Sequence, residues 1–233
     1  LGRQIDIHTG GIEHIPVHHN NEIAQSECAT GKRPLSRFWL HRAHIQIEGG
    51  KIAKSQGTVI YLSDIIAKGF DPLALRYLFL TAHYRTNSNF SWEALGAAQH
   101  ALDRLRALRV SLSESVGAVS APWKNAFLKR VNHDLDTPGA LAVLWNMTKD
   151  KGLAAPDMLA TLLDFDAMLG FGLAEYRDAQ VPRNIIDLAQ QREQARSEKD
   201  WKEADRLRDE IQELGYSVED TEGGPKITPQ RRN

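Results

Sequence analysis

Apolar and polar positions change rhythm near Phe90. Before it, short β-prone runs (Gln4 to Ile7, Ala43 to Ile47, Val59 to Leu62) alternate with glycine-rich turns, and one helix is expected from about His19 to Ala29. That texture predicts an α/β region. Asp71-Pro72 then opens a second helix, since Asp is a good N-cap and Pro suits the first turn. Leu73, Leu75, Tyr77, Leu78, Leu80 and Ala82 supply its apolar positions.

Beyond Phe90, Ser91 is placed to cap "WEALGAAQHALDRLRALRVSL", where Leu95, Ala98, Leu102, Leu105 and Leu108 recur at helical spacing. Similar spacing marks "PWKNAFLKRVNHDL", then "TPGALAVLWNMTKD" with Thr137 as cap and Pro138 at the first helical position. It marks "PDMLATLLDFDAMLG" as well, which Gly170 ends. Four such segments with short connections predict an antiparallel helical bundle. "YRDAQVPRN" reads as a linker. Two charged helices follow, Ile185 to Arg196 and Trp201 to Leu214, the second delimited by an Asp200/Glu203 capping box and by Gly215. A hairpin around Gly223-Gly224 comes last.

Composition adds limits. The 233 residues are 42% hydrophobic and 25% charged, the balance of a folded globular protein. A formal net charge of -1 excludes a uniformly basic nucleic-acid binder while leaving room for a local basic groove. The one cysteine, Cys28, cannot form an intrachain disulfide and is expected to be a small buried apolar residue. No apolar run approaches the ~20 residues of a membrane helix, so a cytoplasmic protein without membrane contact is expected. The chain starts at Leu1 with no leader-like segment, which reads as a cut from a longer chain. Neither a G-x-S-x-G elbow nor a G-x-x-x-x-G-K-[ST] loop occurs, which removes two common enzyme classes.

Three stretches carry candidate chemistry. In "PVHHNNEIAQSE", His18 and Glu22 fall one helical turn apart, where an imidazole and a carboxylate can reach one zinc ion; the same spacing is common on solvated helix faces. In "DIHTGGIE", a β-prone run breaks at Gly10-Gly11 before Glu13. That is either a tight turn or a nucleotide turn whose acid accepts from ribose hydroxyls. In "EGGKIAKSQGT", Lys51 and Lys54 on a glycine-flanked loop can face a polyphosphate, or can simply be solvated.

Taken in order, "DIHTGGIEHIPVHHNNEIAQSE", "FWLHRAHIQIEGGKIAKSQGT", "GFDPLALRYLFLTAHYRTNSNFSWEAL" and "QREQARSEKDWKEADRLRDEIQELGYSVEDTEGG" resemble successive blocks of cysteinyl-tRNA synthetase, a class I aminoacyl-tRNA synthetase. The resemblance runs from Asp6 to about Gly224. It implies an α/β remnant of a Rossmann-type catalytic domain (1–47), a KMSKS-loop and stem-contact region (48–89), an all-α tRNA-binding bundle (90–176) and a small α+β anticodon-binding region (183–233). His18 and Glu22 match two ligands of the family's zinc, which binds the cysteine thiolate and rejects serine. His8, Gly10, Gly11 and Glu13 match the segment lining the ATP and aminoacyl-adenylate site. Lys51, Lys54 and Ser55 match the signature loop, with Lys54 stabilising the ATP phosphates. The implied partners are cysteine, ATP with magnesium, and tRNA(Cys), and the implied state is a monomer.

Departures are visible too. Glu13 stands where the family usually has Asp, Ile52 and Ala53 replace Met and Ser, and Ile227 falls about where a tryptophan often meets the anticodon. No H-x-G-H occurs in the chain, so the expectation is a C-terminal half that does not activate cysteine by itself. A non-catalytic tRNA-binding module and the related cysteine:glucosaminyl-inositol ligase are the alternatives.

Overall fold

Strand β1 (Ile5–Gly11) runs parallel to β2 (Ser36–Arg42), with Ile5 beside Ser36, His8 beside Trp39 and Gly10 beside His41. In the computed structural model, which describes residues 2–47, 59–112, 115–176, 183–221 and 224–229, this pair opens the chain. Parallel strands need a long crossover. Here it is a 3-10 turn (Ile12–His14), a π turn (Ile15–His19) and helix α1 (Asn20–Thr30), which Gly31 closes at φ 66°. The helix expected from His19 is therefore present, shifted by one residue. Cys28 is exposed rather than buried, because no residue of α1 is fully buried and Cys28 lies on its outward side.

The run expected as a strand over 43–47 is divided. Ser36 to Arg42 extends along β1, and only β3 (Ile45–Ile47) pairs onward, in parallel with β4 (Ser88–Phe90). Val59 to Leu62 is not a strand: 59–60 has no regular structure, and Leu62 starts the short helix α2 (Leu62–Ala67). The backbone N–H of Tyr61 donates to the Asp64 carboxylate at 2.8 Å, so a helix cap overrides the β-branched composition.

The chain divides into two units. The first comprises Leu1–Ile60 and Leu73–Ala174. In it, α3 (Pro72–Leu80) leads to four bundle helices, α4 (Trp92–Ser111), α5 (Ala121–Val131), α6 (Thr137–Met147) and α7 (Ala155–Leu169). Ser91 caps α4 by accepting from the Ala94 N–H at 3.1 Å. Leu95, Ala98, Leu102 and Leu105 are buried along one stripe, as their spacing requires. Asp136, one residue before the expected Thr137, caps α6 through the Gly139 N–H. The rings of Phe127 and Phe165 stack at 4.1 Å between α5 and α7. Gly170 ends α7 at φ 70°, and the buried Asp166 accepts from the Phe171 and Leu173 N–H groups at 2.7 Å each.

The second unit comprises Tyr61–Pro72 and Glu175–Asn233. Helices α8 (Arg183–Ser197) and α9 (Trp201–Glu213) precede an antiparallel hairpin of β5 (Tyr216–Thr221) and β6 (Gly224–Pro229). Asp200 caps α9 at the Glu203 N–H, and Gly215 follows at φ 86°. Ile227 is packed against the core formed by Ile185, Ala189 and Ile211. Among the described residues, no helix is long and apolar enough to cross a membrane.

Candidate metal and nucleotide site

Alternation along β1 puts His8 and Gly10 on one face, and the parallel register puts Trp39 and His41 beside them on that same face. His8 stacks on Trp39 at 4.6 Å between ring centroids. The π turn swings His19 onto this face, where it is 4% exposed. Its Nδ1 is 2.8 Å from His41 Nε2, so one ring donates and the other accepts. Burial, reinforced by His8 and His41 and opposed by Glu22, pushes the His19 pKa below the usual imidazole value. The neutral ring that results is the metal-binding form.

Gly10 makes this seat. A Cβ there would lie 2.7 Å from the His19 Cε1 and from the His14 Nδ1. Only glycine lets the β1 backbone pass so close to a buried imidazole.

From the first turns of α1, Glu22 reaches back to the same group. Its Oε2 lies 3.3 Å from His8 Nε2 and 3.9 Å from His19 Nε2, while its Oε1 lies 3.7 Å from His18 Nε2. The expected His18/Glu22 pair is thus brought together, with two further histidines on the other side of the carboxylate. Glu22 Oε2 is shut off from solvent and accepts no hydrogen bond. A buried carboxylate oxygen without a donor is costly, and a divalent cation is what this donor set fits. Residues for zinc are therefore present, as imidazoles and one carboxylate.

Next to this cluster is an open cleft of about 900 Å³, lined by Gly10, Gly11, Glu13, Arg42, His44 and Asn87 among others. Three of the four expected adenylate residues line it. His8, the fourth, turns instead toward Glu22. The Glu13 carboxylate lies between His14 Nε2 at 3.7 Å and His44 Nδ1 at 3.8 Å. Arg42 donates to Ser88 Oγ at 3.0 Å and sits over the Phe79 ring. Lys51, Lys54 and Ser55 lie outside the described residues.

His41, Arg42 and His44 were not singled out from the sequence, although "FWLHRAH" contains all three. The signal that finds the first two is pairing with "DIHTGG", which aligns Gly10 with His41 and Gly11 with Arg42.

Residues 1–100 match the family model of the class I (C) tRNA synthetase catalytic domain, and residues 179–225 match that of the cysteinyl-tRNA ligase anticodon binding domain. A LeuRS-tRNA-LeuAMS ternary complex from Agrobacterium radiobacter K84 aligns with a TM-score of 0.55 at 18% identity, over 72% of this chain and 26% of that one. That likeness establishes the fold, which is of the class I synthetase kind. Cysteine-tRNA ligase 1 of Burkholderia lata is 44% identical over 230 residues, 97% of this chain and 48% of that protein. The cysteine-tRNA ligase of Chlamydia muridarum is 36% identical over 255 residues, 97% and 53% respectively. Over 97% of its length the chain is similar to cysteine-tRNA ligases, and it spans about half the length of these relatives.

Proposed function

We propose that this chain serves a cysteine-tRNA ligase. In that reaction the cysteine carboxylate attacks the α-phosphorus of ATP, and the bond to the β-phosphate breaks to release pyrophosphate. A terminal ribose hydroxyl of tRNA(Cys) then attacks the adenylate carbonyl and AMP leaves. The observation that carries the reading is one strand end, Gly10-Gly11, shared by a histidine and carboxylate cluster and by an open polar cleft.

In this reading Gly10 and Gly11 admit the adenylate close to the backbone, and Glu13 accepts from ribose hydroxyls. Lys54 places its ammonium against the phosphates as charge develops, with Lys51 and Ser55 in the same loop; the role is electrostatic rather than that of a base. Magnesium accompanies the ATP. His18 and Glu22 would hold zinc, which would supply a Lewis acid favouring a thiolate over a hydroxyl. Residues 1–47 act as part of the Rossmann-type domain, 48–89 as the signature loop and stem contact, 90–176 as the tRNA-binding bundle and 183–233 as the anticodon region. The setting is the cytoplasm and the protein is a monomer.

Cysteine-dependent exchange of pyrophosphate into ATP tests this on the full-length protein. Lys54→Ala is expected to cut the exchange rate by about 100-fold or more while changing ATP and cysteine binding much less. An unchanged rate in that variant would contradict the role.

A further inference from the structure

We infer that Arg42 is a phosphate-binding residue of the open cleft, taking the phosphate of an adenosine nucleotide whose ribose hydroxyls donate to Glu13. The inference rests on reading the cleft as a nucleotide site, and it adds a residue to which the family resemblance assigns no role.

Gly11 and Arg42 are partners in register and are the last residues of β1 and β2. Both stand at the carboxyl end of a parallel pair, where the ligands of α/β sheets bind. Alternation turns Arg42 away from the face that carries His8, Trp39 and His41, so its seat is separate from the imidazoles. Among the described residues that line the cleft, Arg42 is the one arginine or lysine.

The guanidinium is held in place, yet its charge is not met. Nη2 donates to Ser88 Oγ at 3.0 Å, and Cζ stands 5.5 Å from the centre of the Phe79 ring. Arg42 is half-buried, and it forms no ion pair among the described residues. A cation drawn partly out of water favours an anion beside it. Its remaining N–H groups suit phosphate, which a guanidinium takes in a planar two-point contact that an ammonium cannot make. Asn87 adds a neutral donor to the same wall, since its Oδ1 accepts from the His44 N–H at 3.2 Å and its NH2 is left to donate. Glu13 lines the cleft as well. A carboxylate that accepts from hydroxyls and a guanidinium that takes an anion match the ribose and the phosphate of one nucleotide. Two participants in the proposed reaction offer that pair: ATP with its adenylate, and the terminal adenosine of the tRNA.

Calorimetric titration of the full-length protein with AMP and with adenosine tests the inference, because the two ligands differ only in the phosphate. Circular dichroism confirms that each variant is folded. Arg42→Ala is expected to weaken AMP binding by about 10–100-fold, the worth of charge-assisted hydrogen bonds, and to leave adenosine binding unchanged. Arg42→Lys keeps the charge without the planar fork and is expected to fall between the two. Kinetics of the full-length protein then identify the source of the phosphate. A raised KM for ATP in pyrophosphate exchange assigns it to ATP, whereas unchanged exchange with a raised KM for tRNA(Cys) in the transfer step assigns it to the terminal adenosine. Equal losses for AMP and adenosine would overturn the inference and make Arg42 a support of the wall, and no loss for either would overturn it as well. If the unmodified protein binds neither ligand, the nucleotide reading of the cleft falls with the inference, whereas the synthetase reading is decided by pyrophosphate exchange.

Discussion

Arg85 grips Asp134 with two hydrogen bonds, from Nε to Oδ2 at 2.6 Å and from Nη2 to Oδ1 at 3.2 Å. The Tyr84 hydroxyl donates to Oδ1 at 2.6 Å, and His83 Nε2 meets the Asp134 carbonyl oxygen at 2.8 Å. Three consecutive residues after α3 therefore hold the turn between α5 and α6. That turn needs holding, because Asp134 and Leu135 have φ of 51° and 56°, a region unfavourable for residues with a Cβ. The same loop carries the Tyr84 carbonyl that accepts from the Ala43 N–H at 2.8 Å. The turn is linked in this way to the wall of the cleft.

The grip has a pH signature. Hydrogen bonds from Arg85 and Tyr84 lower the Asp134 pKa from the ordinary 3.8 to about 2. A depressed carboxylate stabilises the fold above its unfolded value and loses that contribution as pH falls through its folded value. Asp134→Asn is therefore expected to unfold at a lower urea concentration than the unmodified chain at neutral pH. The two midpoints should converge as pH falls from 3.8 toward about 2. Parallel curves through that window would show that the grip does not titrate.

Asp166 closes α7 from inside. Two buried N–H groups, of Phe171 and Leu173, depend on its two oxygens. Asp166→Ala strands both and is expected to cost about 2–5 kcal/mol in urea unfolding. Asp166→Asn retains one acceptor and should cost about half as much.

Gly10→Ala places a methyl group against the His19 ring. The half-buried neighbour His14 can move aside, but His19 cannot without losing its His41 contact. Overpacking of this kind costs about 1–3 kcal/mol. Urea unfolding of the variant beside the unmodified chain measures the loss.

Lys199, an exposed residue between α8 and α9, has φ 63°. Glycine takes that conformation without a Cβ penalty. Lys199→Gly is expected to raise stability by about 0.5–1 kcal/mol, the relief of left-handed strain less the extra entropy of the unfolded glycine. Hydrogen exchange of the α8 and α9 amides measures it.

Elements governed by local rules were legible in the sequence. Ser91 and Asp200 cap as their positions imply, Gly170 and Gly215 stop their helices, and Leu95, Leu102 and Leu105 of α4 bury at their helical spacing while Leu108 is half-buried. Strand β2 was not legible, because Phe38, Trp39 and Leu40 run consecutively, with Phe38 exposed, and the alternation fails. Val59 to Leu62 misled for the opposite reason, since β-branched composition says nothing of the cap that Asp64 supplies to Tyr61. The His18/Glu22 proximity follows from one helical turn, whereas the meeting of His19 with His41, 22 residues apart, depends on strand register.

Charging of tRNA(Cys) with cysteine is the activity that we propose this chain serves. Incubation of the full-length protein with ATP, labelled cysteine and tRNA(Cys) tests it most directly, with serine and a glucosaminyl-inositol acceptor as controls. Label is expected to enter tRNA(Cys) as an alkali-labile ester, with serine not transferred and the amino sugar not modified. Label on the amino sugar with none on the tRNA would contradict it.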